Sequence, residues 1–595
     1  MKIRVADYIA GFLADKGINH VFSVVGGGAM YLNNAFVKES RIKKVYNHHE
    51  QACAIAAESY SRINNKMAAV CVTSGPGGTN ALTGVLCAWQ DSLPVFFVSG
   101  QVRYDITVES TGLDLRQFGE QEYYIVRSVS PMTKYAVMIS DANTIRYHLE
   151  KAFYLATNGR RGPVWIDVPL NIQGQIVETD DLIGYSPESL ANNETNIEEI
   201  VSFIEKAKKP VIIAGSGIRT SGSLVQFSKL AKRLNIPVIC PTSTVDYFTY
   251  DEEFYYGMFG SFGGRAGNFI VQNADLLLVF GARLSFKQIG FNYKEFSPYS
   301  KKVVIDADEE ELKKNTVYID LPIHSDVADV INLLSEEKIT TKPETDKWIE
   351  YCKFLKNEFP QNEYENVDYI TARYFSNKFW NLANEGTIVV LGNNTAAVSM
   401  LQCGIQKKDQ RLFGNVNCGT MGYDLPAAIG ASVASGSEVF CATGEGSMQM
   451  NLQELQTMVY NDLPIKIIVF DNNMYQAIVQ THKNFFGGVL AGCTNDSGIS
   501  FPSLKKIADA YDFGYKAISK ATEIEEAVKW IIGFKGRAIL DLIQVEADPI
   551  VPKLSSKRLE NGDMISPSID DMAPFLSREK YEMCLFDNYC SRNGN

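Results

Sequence analysis

Histidine is scarce in this chain: six residues among 595, with His48-His49 the sole cluster, so a multi-histidine metal centre is not expected. The eleven cysteines stand singly, with no CxxC pair and no CxxC…HxxxH spacing. That excludes a disulfide framework and a structural zinc site, and fits a reducing cytoplasm. Positive charge is also short. Lys+Arg number 57 against 69 Asp+Glu, a net charge of −12. A nucleic-acid-coating surface needs clustered cations to displace phosphate counterions, so no nucleic-acid partner is expected. No membrane segment is expected either. Met1 to Phe22 carries Lys2, Arg4, Asp7, Asp15 and Lys16 among apolar residues and reads as a helix of the mature chain rather than a signal peptide. Met67 to Gln90 is uncharged and long enough to cross a bilayer, but Gly75-Pro76-Gly77-Gly78 interrupts it. It reads as a strand, a turn and a helix.

What is present is apolar and glycine-punctuated. The hydrophobic fraction is 46%, and the length gives a loose expectation of about three to five domains. Runs rich in Val, Ile and Phe recur and often end in glycine, as at Met67 to Ser74, Pro94 to Gly100, Pro210 to Gly217, Asp275 to Gly281, Thr387 to Gly392 and Ile465 to Asp471. Continuous apolar strands alternating with helix-length segments indicate α/β architecture, with parallel sheets covered on both faces. Two polar stretches, about Gln173 to Glu199 and Ser335 to Asp368, read as linkers. The expected units are 1–175, 190–340 and 365–550, followed by a polar tail, 551–595, that lies over another domain.

In open α/β sheets, ligands bind beyond the carboxyl ends of strands, where glycine lets the backbone come close and helix N-termini offer unpaired N–H groups. Such turns include Gly26-Gly27-Gly28, Gly75-Pro76-Gly77-Gly78, Gly215-Ser216-Gly217, Gly392-Asn393-Asn394 and Gly444-Glu445-Gly446. Each alone is also explained by the sterics of a tight turn. The pairing of Gly444-Glu445-Gly446-Ser447 with Asp471-Asn472-Asn473 says more. A strand, a crossover helix and a returning parallel strand consume about the spacing between Glu445 and Asn472, which places two oxygen ligands side by side. Magnesium is commonly held by one or two such side chains plus substrate phosphates, so the expected site is Mg-diphosphate.

These residues resemble the metal and diphosphate motif of thiamine diphosphate (ThDP) enzymes, whose usual form is GDG…NN. The resemblance runs along nearly the whole chain and is nearest to the catalytic subunit of acetolactate synthase. It is carried also by His49-Glu50-Gln51, Thr73-Ser74-Gly75-Pro76-Gly77 with Thr79-Asn80, Arg160 with Gly162-Pro163, Gly281-Ala282-Arg283, and Gly419-Thr420-Met421-Gly422 with Leu425-Pro426-Ala427-Ala428. It implies three doubly wound domains: a pyrimidine-binding domain, a Rossmann-like centre and a diphosphate-binding domain. It further implies a homodimer or tetramer with active sites between subunits, acting on pyruvate and a carbonyl acceptor.

By the same resemblance Glu50 is the glutamate that hydrogen-bonds the aminopyrimidine ring. On residue type alone, a first-turn acid serving the helix dipole explains it equally well. Gln121 and Gly27 line the reacting-carbon pocket, and Met421 is the apolar wedge between the rings, although core packing would also suit it. Gly419 accepts from the pyrimidine amino group; Asn80, Gly392, Asn393, Asn394, Gly444, Gly446 and Ser447 are further cofactor contacts. Glu445, Asn472 and the Met474 carbonyl hold the metal. Arg160, Gly215, Gly217, Arg283, Asp306 and Asp326 fall on an FAD-contact pattern, against which stands a cofactor-free scaffold.

Two departures bear on chemistry. Glu445 replaces the usual aspartate, adding a methylene to a ligand of a metal with strict geometry. Phe286-Lys287 occupies the stretch where acetolactate synthases carry an arginine for the acceptor carboxylate, and lysine lacks its planar fork. Phe259 replaces a flavin-pocket histidine, and Arg116-Gln117-Phe118-Gly119 is closer to carboligases of branched-sugar pathways. The acceptor is therefore either a second 2-keto acid or the ketone of a nucleotide-linked deoxysugar. A 2-keto acid decarboxylase, a ThDP-fold cyclic diketone hydrolase or a non-catalytic nucleotide-binding protein would also fit parts of this pattern.

Overall fold

The computed structural model describes residues 1–187, 196–342, 344–361, 367–393, 395–545, 552–559 and 561–592. Among them are three six-stranded sheets in which adjacent strands pair in parallel. Across the first sheet the strands are Lys43–Tyr46, His20–Ser23, Ala68–Val72, Val95–Gln101, Val164–Pro169 and Tyr135–Met138. Across the third they are Arg411–Gly414, Ile388–Leu391, Val439–Thr443, Ile465–Asp471, Ala538–Ile543 and Gly514–Ile518. Counted along each domain, both orders are 2-1-3-4-6-5, so one topology occurs twice. The central sheet, Tyr255–Met258, Val238–Cys240, Pro210–Ala214, Leu276–Phe280, Lys301–Asp306 and Leu321–His324, has the order 3-2-1-4-5-6 of dinucleotide-binding folds. Central strands such as Ala68–Val72 and Leu276–Phe280 are buried at every position, because helices cover both faces.

Met67 to Gln90 folds as expected, into a strand, Ala68–Val72, and the helices Pro76–Asn80 and Leu82–Gln90. Two further expectations are corrected. Met1 to Phe22 is not one helix: Lys2–Arg4 pairs antiparallel with Ile176–Glu178, the helix is Val5–Asp15, and His20–Ser23 enters the first sheet. The break falls at Gly17, whose φ of 79° is left-handed. The stretch Ser335 to Asp368 is not only a linker either. It contains the helix Glu344–Glu358, whose Trp348, Tyr351, Cys352 and Leu355 repeat at helical spacing and are buried. That apolar stripe packs on the central domain together with the tail: Trp348 stacks edge-on with Phe586, and the Tyr351 hydroxyl donates to the Cys584 carbonyl at 2.6 Å. The tail is fastened further by Asn268 Nδ2 donating to the Ile569 carbonyl at 2.8 Å.

Two helices join the outer domains. Glu50–Asn64 is buried from Ala52 to Ser61 and lies against Asp424–Ser435, both contributing to one apolar cluster. Small residues permit this approach: a Cβ on Gly430 would lie 2.0 Å from the Ala56 carbonyl oxygen, and Ser59 Oγ donates to the Ala427 carbonyl at 2.7 Å. Inside the contact, Glu58 has no exposed surface and pairs with Arg62, which also pairs with Asp91, while the Tyr423 hydroxyl donates to Glu58 at 2.7 Å. The central domain is tied in by Asp246, which is buried and accepts from Arg219 and from Arg411 of the third domain, each at 2.8 Å. Arg411 also donates to the Ile63 carbonyl at 3.3 Å.

Gly430→Ala should therefore force the helices apart and destabilise the protein by about 1–3 kcal/mol through overpacking. The apparent melting temperature should fall, whereas Gly11→Ala, a helical position with nothing within 4 Å of the added carbon, should leave it unchanged or raise it.

Candidate active site

Strand order reverses between the first and third strands of each outer sheet and between the first and fourth strands of the central sheet. Ligands of open α/β sheets bind at such reversals, and the glycine turns lie there.

In the first domain the reversal brings Gly26-Gly27-Gly28 against Thr73-Ser74. A Cβ on Gly26 would lie 2.5 Å from Thr73 Cβ, and the Gly28 N–H donates to Thr73 Oγ1 at 3.1 Å. Gly27 is exposed between them, with nothing near its Cα hydrogens. Gly75 has a left-handed φ of 55°, and a Cβ there would lie 2.2 Å from the carbonyl oxygen of Gln121. A Cβ on Gly77 would lie 3.5 Å from Glu50 Oε1. The expected Gly27, Glu50 and Gln121 thus surround one turn, Thr73–Gly77. Glu50 opens its helix behind the N-cap His49, whose Nδ1 accepts from the Gln51 N–H at 3.0 Å. Its Oε2 accepts from Asn80 Nδ2 at 3.0 Å, so Asn80 contacts the glutamate.

In the third domain the paired strands Val439–Thr443 and Ile465–Asp471 deliver Glu445 and Asn472 to the same edge, as their spacing predicted. Glu445 Oε1 and Asn472 Oδ1 both accept from the Met474 N–H, at 3.0 and 3.2 Å. Two side-chain oxygens therefore converge on one point. Burial, and after it the charge of Asp471, pushes the Glu445 carboxyl up to about 7; a divalent cation would supply the missing countercharge. These groups line a cavity of about 310 Å³ with Asn393, Gly419, Met421, Gly444, Gly446, Ser447 and Met474. Oxygen donors, a buried acid short of positive charge and glycine-flanked backbone fit magnesium and a diphosphate.

Three expected positions behave differently. Gly392 does not line the cavity; a Cβ there would lie 2.8 Å from Asp424 Oδ2, so its small size makes room for the Asp424–Thr443 pair. The Gly419 carbonyl already accepts from Asn393 Nδ2. Asn394 lies outside the described residues. Among the described residues that line this cavity none belongs to the first domain, Glu50 included.

At the central reversal, Arg160, Gly217, Arg283, Asp306 and Asp326 share a cavity of about 180 Å³. A neighbouring cavity of about 590 Å³ adds Trp89, Tyr154 and His324. Burial raises the Asp306 carboxyl to about 6. Arg160 pairs with Asp308 and Glu311, and Arg283 with Glu311, which leaves the rim dense in carboxylates. Gly215 is not part of the lining: its Cα faces the Gly281 carbonyl, 2.2 Å from where a Cβ would stand.

Sequence reasoning missed Asp424, Asn451 and Glu454, all buried. In sequence they are ordinary polar residues in or beside helices, and no local signal marks their burial.

The thiamine pyrophosphate enzyme family matches this chain in its three parts: the N-terminal TPP binding domain over residues 3–120, the central domain over 197–334 and the C-terminal TPP binding domain over 391–542. Acetolactate synthase 2, chloroplastic, of Nicotiana tabacum is 30% identical over 566 residues, covering 93% of this chain and 83% of its own. The probable acetolactate synthase large subunit of Methanocaldococcus jannaschii is 30% identical, covering 92% and 94%. The acetolactate synthase isozyme 1 large subunit of Escherichia coli is 28% identical, covering 94% and 97%. With one topology repeated around a dinucleotide-type centre, and a diphosphate-type cavity at the strand-order reversal of the third sheet, the chain belongs to the thiamine pyrophosphate enzymes, as a ThDP-dependent enzyme of the acetolactate synthase type.

Proposed function

We propose that the protein is a magnesium- and ThDP-dependent carboligase that decarboxylates pyruvate and transfers the two-carbon unit to a second 2-keto acid. The observation that carries this reading is the convergence of Glu445 and Asn472 at the cavity bearing Gly419, Met421 and Ser447. When bound, ThDP supplies a carbon nucleophile and an electron sink for decarboxylation. Glu445, Asn472 and the Met474 carbonyl hold the metal, and Gly444, Gly446 and Ser447 receive the diphosphate. Met421 would be the apolar wedge between the two ThDP rings, and the Gly419 carbonyl would accept from the pyrimidine amino group. Glu50, its far oxygen held by Asn80, holds or moves the proton at the pyrimidine ring nitrogen. Gln121 and Gly27 face the substrate.

Because no residue of the first domain lines the cavity, Glu50 serves the cavity of a second copy, and the working unit is at least a homodimer. We place the domain limits at 1–175, 190–340 and 365–550, with the tail beyond. FAD at the central reversal is the reading favoured by Gly217, Asp306 and Asp326 around one cavity. We place the protein in the cytoplasm, a reading supported by the lack of any CxxC pair among its eleven cysteines. No helix among the described residues is long and apolar enough to cross a membrane.

A specific contact favours a different acceptor. Lys287, on the helix Phe286–Ile289, directs its ammonium to the Val416 carbonyl, so its charge is engaged by backbone beside the Gly419 turn. That supports transfer to the ketone of a nucleotide-linked deoxysugar as the second reading.

Mass spectrometry of products from pyruvate alone, pyruvate with 2-ketobutyrate, and pyruvate with a nucleotide-linked 4-keto-deoxysugar separates the two. Acetolactate and acetohydroxybutyrate are expected; a branched sugar as sole product would select the second reading, and free acetaldehyde alone would reject ligation. Glu445→Ala should weaken ThDP retention in magnesium at least about tenfold, as loss of a metal-site partner does, and unchanged retention in equilibrium dialysis would reject its role. After reconstitution with FAD and desalting, the protein should keep a flavin absorption band; a colourless protein would defeat the FAD assignment.

A further inference from the structure

The turn Asn47–His49, from which the Glu50 helix starts, is not held by its own domain alone. Glu454, at the first position of the third-domain helix Glu454–Tyr460, has no exposed surface. Its Oε2 accepts from Asn47 Nδ2 at 2.9 Å and from Thr457 Oγ1 at 2.7 Å, and its Oε1 accepts from the His48 N–H at 3.0 Å. A carboxylate without water is costly unless its lone pairs meet donors. Here two of the three donors belong to a turn 406 and 407 residues away in the chain.

A second contact runs beside it. Asn451 Nδ2 donates both to the Gly422 carbonyl, at 2.7 Å, and to Gln51 Oε1, at 3.0 Å. Gln51 follows Glu50, and Gly422 follows Met421. The Gly422 N–H in turn donates to Ser447 Oγ at 2.9 Å, in the cavity lining. Hydrogen bonds thus run from the diphosphate cavity through Gly422 and Asn451 to the start of the Glu50 helix.

We propose that Glu454 is a positioning residue for Glu50: it clamps the Asn47–His49 turn to the third domain and so fixes where the Glu50 carboxylate begins. Asn451 holds the first turn of the Glu50 helix through Gln51. The inference rests on the reading of Glu50 given above. The donor set explains why the clamp is a carboxylate. Only an ionised acid offers two acceptor oxygens with no donor of its own, and here both oxygens face N–H or O–H groups. Glu454→Gln keeps the shape but turns an amide N–H toward one of those donors.

The test is a double-variant cycle in the full-length protein, following melting temperature, ThDP affinity by fluorescence quenching, and kcat and KM for pyruvate. E454Q should lower kcat by about tenfold or more while ThDP affinity and KM stay within about threefold, because only the proton-handling geometry is disturbed. A loss of packing alone would lower melting temperature and ThDP affinity together. In addition, E50Q/E454Q should be no slower than E50Q, within about twofold, since Glu454 acts only through Glu50. Multiplying effects, or an E454Q kcat equal to the parent's while E50Q is inactive, would overturn the proposal alone. Near-parental turnover by E50Q would overturn the Glu50 assignment and this inference with it. Should E454Q fail to fold, N47A, which removes one of the two bonds to the turn, should still lower kcat at least about threefold at unchanged ThDP affinity; an unchanged kcat would overturn the clamp.

Discussion

The structure depends on one close approach. Helix Glu50–Asn64 and helix Asp424–Ser435 meet with so little space that Gly430 has no room for a methyl group against Ala56. Each helix begins at residues of the proposed site: Glu50 opens the first, and Met421-Gly422 leads into the second. A rigid helix transmits position along its length, so fixing the middle of both fixes their starting points relative to each other. The buried Glu58–Arg62–Asp91 group and the Tyr423 hydroxyl then penalise sliding. Glu58, Arg62 and Asp91 all belong to the first domain, so a shift would break the Tyr423–Glu58 hydrogen bond rather than the charge pairs, leaving a buried carboxylate oxygen short of a donor.

Charge follows the same logic across the molecule. Three buried carboxylates are answered by donors: Asp246 by two arginines, Glu454 by three donors, Glu58 by Arg62 and Tyr423. The pKa of Glu445, like those of Asp167 and Asp541, is raised by burial. Glu445 Oε1 accepts from the Met474 N–H, and burial, then the nearby charge of Asp471, raises its pKa.

Much of this could be read from the sequence because it is local. The spacing of Glu445 and Asn472 fixes a strand, a crossover and a return, and the sheet obeys it. Apolar runs ending in glycine located the strand ends. Where reading failed, the cause was long-range packing or a weak local pattern. Gly215 and Gly392 look like ligand turns, but their missing side chains make room for Gly281 and for Asp424. The helix Glu344–Glu358 is polar enough to pass for a linker, and only its buried Trp348, Tyr351, Cys352 and Leu355 show what it covers. Glu454 and Asn451 matter because of residues some 400 positions away, a relation that no window of sequence contains.

The tail's seat on the central domain has a temporal side. Asn268 waits for Ile569, Gln272 for Ser568 and Tyr351 for Cys584, partners made hundreds of residues later. During synthesis, the central sheet can form as soon as its own strands have emerged. The face bearing Trp348 and Tyr351 stays open until almost the whole chain is available. Contacts of such separation form late and slowly, and apolar surface left uncovered in that interval is where chains associate wrongly. The segment bearing Ile569 and Cys584 therefore completes the central domain, although that domain's own strands precede it in the chain.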